Sequence, residues 1–266
     1  MQVSTFVGLL LGVLVVGYAA GNILADLYDP IMLLLVVGGG IAATLVSDGI
    51  RPMLGALGVA RHIFAASEDD QPKGLVERVL IYAQTARRDG VLSLEKPMDS
   101  EPNSFLGKGI QLVVDGTEPS LIMDILKTEL NFSAERHAND ERLLEHLGRN
   151  GALFSVVGGL LILMQGGSMV AVGLPLLYGV LLYALVGESF ARKLARHYAK
   201  ERLLCRMAIE GVIAIQAGDN PRIIQRKLAA FVAPKDRPTG NELPEPLPRS
   251  TPATPDITSE EIENYV

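Results

Sequence analysis

From Gly151 to Gly187 the chain carries no Asp, Glu, Lys, Arg or His. A bilayer core takes roughly 20 apolar residues per helix, so this stretch is too long for one crossing and suits two joined by a tight turn. A second uncharged pair opens the chain, Val3–Ala25 and Pro30–Val46, broken at Asp26–Asp29. The third crossing, Gly151–Gln165, is short and is expected to extend back through His146–Asn150 and on through Gly166 and Gly167. The break in the second pair falls at Gly166–Ser168. The fold class expected is all-α integral membrane: four transmembrane helices as two hairpins with a helical cytoplasmic domain between them. The limits are 1–47 for the first hairpin, 48–149 for the cytoplasmic helical domain and 150–187 for the second hairpin. A cytoplasmic helical tail then covers 188–233, and a disordered proline-rich tail 234–266.

Charge sets the orientation. All 24 Lys and Arg lie in Ser47–Asn150 and Glu188–Val266, half in each, and neither hairpin turn has one. Positive-inside reasoning puts both termini and the central domain in the cytoplasm. The first span has no basic leader region and reads as a retained anchor in contact with membrane lipid. The single Cys205 excludes a disulfide within one chain. Basic residues alternate with acidic ones, which argues against a nucleic-acid partner.

Between the hairpins the pattern is helical. Pro72 suits a first helical turn, and Leu75, Val79, Leu80 and Ala83 form one stripe that closes at Arg87–Gly90. Met53–Ser67 and Phe105–Val114 read as helices, the latter ended by Asp115-Gly116. Pro119 begins a helix with no internal proline or glycine as far as Gly148, and this helix runs into the third span. Glu188–Ala217 continues the fourth span, Gly218 ends it, and Asp219-Asn220-Pro221 starts a last helix to Phe231. Seven prolines after Ala233 predict disorder over Pro234–Val266.

No metal, cofactor or nucleophile constellation emerges, and an enzyme is not expected. His62, His137, His146 and His197 lack ligand spacing and read as surface residues. Gly38-Gly39-Gly40 lies mid-span without the Lys and Ser/Thr of a phosphate loop, so close helix packing is its expected use. Gly158-Gly159 reads the same way. Ion pathways across membranes use ionisable groups at depth. The four spans offer none, so any carboxylate on such a pathway must come from another chain.

Several stretches resemble the MotA/PomA family of flagellar stator subunits, within the wider MotA/TolQ/ExbB group. They are LLLVVGGG at Leu33–Gly40, ARRDGVLSLE at Ala86–Glu95, KGIQLVVDG at Lys108–Gly116, Glu135-Arg136-His137, and EGVIAIQAGDNPR at Glu210–Arg222. The last is the most specific. The resemblance covers about Gly8–Val232. It implies a homo-oligomer, a pentamer, around two copies of a MotB-type single-span peptidoglycan-binding protein that brings the membrane carboxylate. It also implies that Arg87, Arg88 and Glu95 face a flagellar rotor protein. An ExbB/TolQ-like subunit serving another envelope process is the alternative, although that group has three spans.

The resemblance also marks departures along the pore side. Ala152 stands where the family has a proline. Ser155-Val156-Val157-Gly158-Gly159 replaces a Gly-x-Ile-Gly-Thr pattern. Pro175-Leu176-Leu177-Tyr178-Gly179 replaces Thr-Thr-Leu-Tyr-Gly, and Ser189 replaces a proline. Hydroxyls that would help an ion shed water are lost, and proton passage is expected in preference to sodium. Ala152, Ser155, Gly158, Gly159, Pro175, Tyr178 and Gly179 are the candidate pore and packing residues.

Overall fold

Proline and glycine punctuate this chain where its helices start and stop. In the computed structural model the described residues are 29–55, 71–98 and 101–232, with isolated positions 7, 10–12, 14, 18, 234, 244, 245 and 247. Most of the first predicted span, residues 56–67 of the predicted Met53–Ser67 helix, and nearly all of the predicted disordered tail lie outside them. Among the described residues every regular element is helical. The main ones are α1 (Pro30–Asp48), α2 (Pro72–Asp89), α3 (Glu95–Met98), α4 (Ser104–Val114), α5 (Pro119–Met164), α6 (Met169–Leu182), α7 (Ala191–Gln216) and α8 (Pro221–Ala229). A 3-10 turn, Val91–Leu94, precedes α3, and a π-helical segment, Tyr183–Phe190, joins α6 to α7. Three stretches are long and apolar enough to cross a membrane: Pro30–Asp48, part of Pro119–Met164 and part of Met169–Gln216. The all-α membrane fold expected from the sequence therefore holds.

The caps follow from residue chemistry. Asp29 accepts hydrogen bonds from the amides of Ile31 and Met32 at 2.9 and 3.2 Å, and Pro30 fills the first helical position of α1. Asn220 does the same for α8, accepting from Arg222 N at 3.0 Å with Pro221 behind it. Gly166, at φ 76°, ends α5 through a bond from the Gly167 amide to the Ile162 carbonyl at 2.9 Å. This corrects one expectation: the third span extends backwards only, because a left-handed Gly166 stops the helix at Met164.

The chain divides by packing into two units, Met1–Ser67 with Asn131–Glu201 and Glu68–Leu130 with Arg202–Val266. The boundaries fall inside α5 and α7. The second unit holds an aliphatic core. α2 contributes Leu75, Val76, Val79 and Leu80, α4 Leu106 and Ile110, the start of α5 Ile122 and Leu126, α7 Met207 and Val212, and α8 Ile224 and Leu228. Two glycines set how closely these helices approach. A Cβ on Gly109 would meet Val212 Cγ2 at 2.6 Å, and one on Gly211 would meet Val79 Cγ1 at 2.8 Å. Beside this core a buried Glu101 carboxylate accepts from Tyr82 Oη at 2.6 Å and the Asn103 amide at 3.1 Å, with Arg78 Nε 2.9 Å away as its ion-pair partner. Two hydrogen bonds and an opposite charge offset the cost of burying it.

Candidate functional site

Two places collect the residues singled out from the sequence: a small-residue seam in the first unit, and the end of α2 in the second. The seam is made where α1, α5 and α6 touch. A Cβ added at Gly40 would lie 2.9 Å from Gly151 Cα, and one at Gly148 would lie 2.5 Å from Gly187 Cα. At Gly39 the same atom would run into the Phe154 ring, and at Gly151 into the Leu182 side chain. Backbones this close leave no room for larger residues, and dispersion across such contacts holds helices together where lipid offers no hydrophobic drive.

The candidate pore residues sit along this seam. Ser155 is buried and its Oγ donates to the Ala152 carbonyl at 2.6 Å. It lies directly against Gly179, where any side chain would overlap it. A Cβ on Gly158 would meet Leu35 Cδ2 and Pro175 Cβ, each at 3.1 Å, and one on Gly159 would meet Val172 Cγ1 at 3.4 Å. Gly158 is therefore tight without being the most crowded point; Gly148, Gly151 and Gly179 are more so. Pro175 is buried in the interior of α6. Tyr178 turns away from this group and its Oη accepts from the Asp29 amide at 3.1 Å. The seam thus brings Ala152, Ser155, Gly158, Gly159, Pro175 and Gly179 together, with Tyr178 tying α6 to the start of α1.

Polar groups that the sequence did not single out continue the α1–α5 contact. Thr44 is fully buried; its Oγ1 donates to the Gly40 carbonyl at 2.8 Å and accepts from Asn150 Nδ2 at 3.1 Å. One turn further, His146 Nδ1 lies 3.0 Å from Asp48 Oδ2. His137 stacks on Tyr198 with ring centroids 3.6 Å apart, and Tyr198 Oη donates to Asp140 at 3.1 Å. Burial holds the His137 imidazole below its ordinary value despite the pull of Glu201 and Asp140. Burial, then Asp140, pushes the Tyr198 phenol up. The surface reading of His137 and His146 is corrected by these contacts. The sequence signal was available: each histidine can reach an acidic residue or a tyrosine on a neighbouring helix, which ligand spacing alone does not test.

At the end of α2 the loop charges are presented differently. Arg87 is exposed in the last turn. Arg88 is drawn onto Asp89, with Nε and Nη2 at 2.8 and 2.6 Å from Oδ2. Gly90, at φ 86°, turns the chain; buried Leu94 anchors the 3-10 turn; and exposed Glu95 starts α3. The three charges thus stand on consecutive elements around one glycine turn. Among the described residues no group of three or more His, Cys, Asp or Glu side chains is placed to hold a metal ion.

Similarity to known proteins points the same way. No family model matches the chain. It is 29% identical to the chemotaxis protein PomA of Vibrio alginolyticus over 245 residues, 87% of this chain and 96% of that protein. It is 32% identical to motility protein A of Borreliella burgdorferi over 174 residues, 61% of this chain and 67% of that protein. Its fold superposes on a chain of the flagellar MotAB stator complex from Bacillus subtilis with a TM-score of 0.80 at 25% identity, covering 87% of this chain and 96% of that one. A chain of the MotAB structure from C. jejuni shares the fold at a TM-score of 0.75 and 19% identity, covering 88% of this chain and 97% of that one. The chain belongs to the MotA/PomA family of flagellar stator subunits.

Proposed function

We propose that this stator subunit assembles as a ring of five around two copies of a MotB-type single-span, peptidoglycan-binding partner, and that protons pass on the partner's carboxylate. The observation that carries this reading is the seam itself. From Gly151 to Gly187 there is no ionisable side chain other than tyrosine, and the one buried hydroxyl, Ser155, is spent on the Ala152 carbonyl. A proton crossing here needs an acceptor at depth, and this chain supplies none. A sodium ion would also need a coordinating shell of oxygens, so the poor supply of hydroxyls favours protons. Pro175 leaves the Ala171 carbonyl without its usual helical donor, which adds one backbone acceptor near the seam.

In this reading residues 1–47 and 150–187 are the membrane hairpins. Residues 48–149 and 188–233 lie in the cytoplasm with both termini, and 234–266 is a proline-rich tail. Arg87, Arg88 and Glu95 meet the flagellar rotor protein, with exposed Arg87 the leading contact. Native mass spectrometry of the complex co-purified from a membrane tests the assembly. Five copies of this chain with two of the single-span partner are expected. A monomer that retains no partner in mild detergent would contradict the proposal.

A further inference from the structure

The proline-rich tail does not stay clear of the second unit. In the run Pro244-Glu245-Pro246-Leu247-Pro248, the Leu247 side chain packs against the aliphatic core of that unit. Both backbone groups of the same residue are taken up by α2. The Leu247 amide donates to Thr85 Oγ1 at 3.2 Å, and Arg88 Nη2 donates to the Leu247 carbonyl at 2.5 Å. Thr85 is buried, and its own hydroxyl proton goes to the Ile81 carbonyl at 2.9 Å, which leaves the oxygen lone pair for the tail amide. Donors and acceptors are therefore matched. The prolines on either side of Leu247 have no N–H, so Leu247 carries the one amide of this triplet that can make the bond. They also restrict the unbound segment, which lowers the entropy lost on seating it.

We propose that α2 carries a docking site for this chain's own tail, made by Thr85, Arg88 and the aliphatic core beside them, with Leu247 as its ligand. The seated tail takes a hydrogen bond from Arg88 Nη2, which Asp89 also shares, so the tail and a rotor carboxylate compete for one guanidinium. This second part rests on the reading of Arg87, Arg88 and Glu95 as rotor-facing. The tether suits such a device. About 15 residues separate Val232 from Leu247, and an internal ligand on a tether that short acts at an effective concentration on the order of millimolar. The contact is also built to yield. It amounts to one leucine and two hydrogen bonds, one of them from a guanidinium that already pairs with Asp89.

Trypsin cleavage of the full chain with its partner in nanodiscs tests the docking. A protease cutting after Arg249 must hold Leu247 in its own cleft, so it reads the fraction of tail that is released. Cleavage after Lys235 in the same sample serves as reference. Relative to that reference, cutting at Arg249 is expected to be about tenfold faster in Leu247→Asp and in Thr85→Val than in the wild type. Equal ratios in all three would overturn the docking site. In cells, Leu247→Asp is expected to raise the number of stators engaged with each rotor, counted as fluorescent foci, while Arg87→Glu lowers it. Faster cleavage with unchanged engagement, where Arg87→Glu still lowers it, would overturn the competition alone. Unchanged engagement in Arg87→Glu as well would overturn the rotor reading and the competition with it, leaving the docking result to stand by itself.

Discussion

A Cβ at Gly179 would overlap both Ser155 Cβ and Oγ, so the smallest possible enlargement tests the seam. Gly179→Ala is expected to cost about 1–3 kcal/mol through overpacking. Ser155→Gly in the same chain should recover most of it, because the overlap is with that one side chain. The melting temperature of the purified protein measures both; a double variant no better than the single one would refute the close packing of Ser155 on Gly179. Titration gives a second test. His137 has its folded value depressed, so the neutral stacked ring is the form the fold favours. Its contribution is present above the ordinary value of 6.5 and is lost as pH falls below it. The groups facing it are Asp140, Glu201, Arg136 and His197. His137→Phe keeps the stack on Tyr198 and should flatten the fall in melting temperature between about pH 7.5 and about pH 5.5. An unchanged slope would mean the imidazole is not its source. Tyr82 and Tyr198 are shifted the other way, by burial first and then by Glu101 and Asp140 respectively. Their contribution is complete below the ordinary value of 10.0 and is lost as pH climbs above it. In an alkaline absorbance titration these two of the seven tyrosines should ionise only as the protein unfolds.

At the scale of the element, two of the stretches that marked the family turn out to be packing devices of the second unit. In EGVIAIQAGDNPR, Gly211 admits Val79, Gly218 ends α7 at φ 68°, Asn220 caps α8, and Gln216 Nε2 donates to the Thr117 carbonyl at 2.6 Å. In KGIQLVVDG, Gly109 admits Val212 and Gly116 ends α4 at φ 74°. Asn220→Ala should therefore cost about 1 kcal/mol of stability. Denaturant unfolding followed by tail protease sensitivity reads it, and no change would remove the cap from the account. These elements were legible because their causes are local: a proline at the first turn, a glycine at the stop, and Leu75, Val79, Leu80 and Ala83 at helical spacing. The π-helical Tyr183–Phe190 was not. It sits where Gly187 meets the Gly148 backbone and where Ser189 Oγ bonds the Ala184 carbonyl at 2.8 Å, five residues back. The first of these contacts is between residues far apart in the chain, and residue composition gives no sign of it. The seat of Leu247 was hidden for a related reason. Its proline-rich neighbourhood argues for disorder, and only its bonds to Thr85 and Arg88 argue otherwise.

For the whole molecule, the apolar stretches were sufficient to read an all-α membrane protein, since they depend on composition over long windows. The candidate pore residues were reachable only through resemblance, because nothing in a glycine or an alanine announces which helix it meets. Topology can be tested directly. Reporter fusions at Gln71 and after Val232 should report cytoplasm, and one within Gly166–Ser168 periplasm; a periplasmic signal at Gln71 would overturn the arrangement. In the proposed mechanism this chain conducts protons only on a carboxylate it does not own. Intracellular pH, followed on energisation in cells co-expressing the chain and its single-span partner, tests that most directly. Acidification is expected with the native partner and none when the partner's membrane carboxylate is replaced by its amide. Acidification that persists after that replacement would contradict the account.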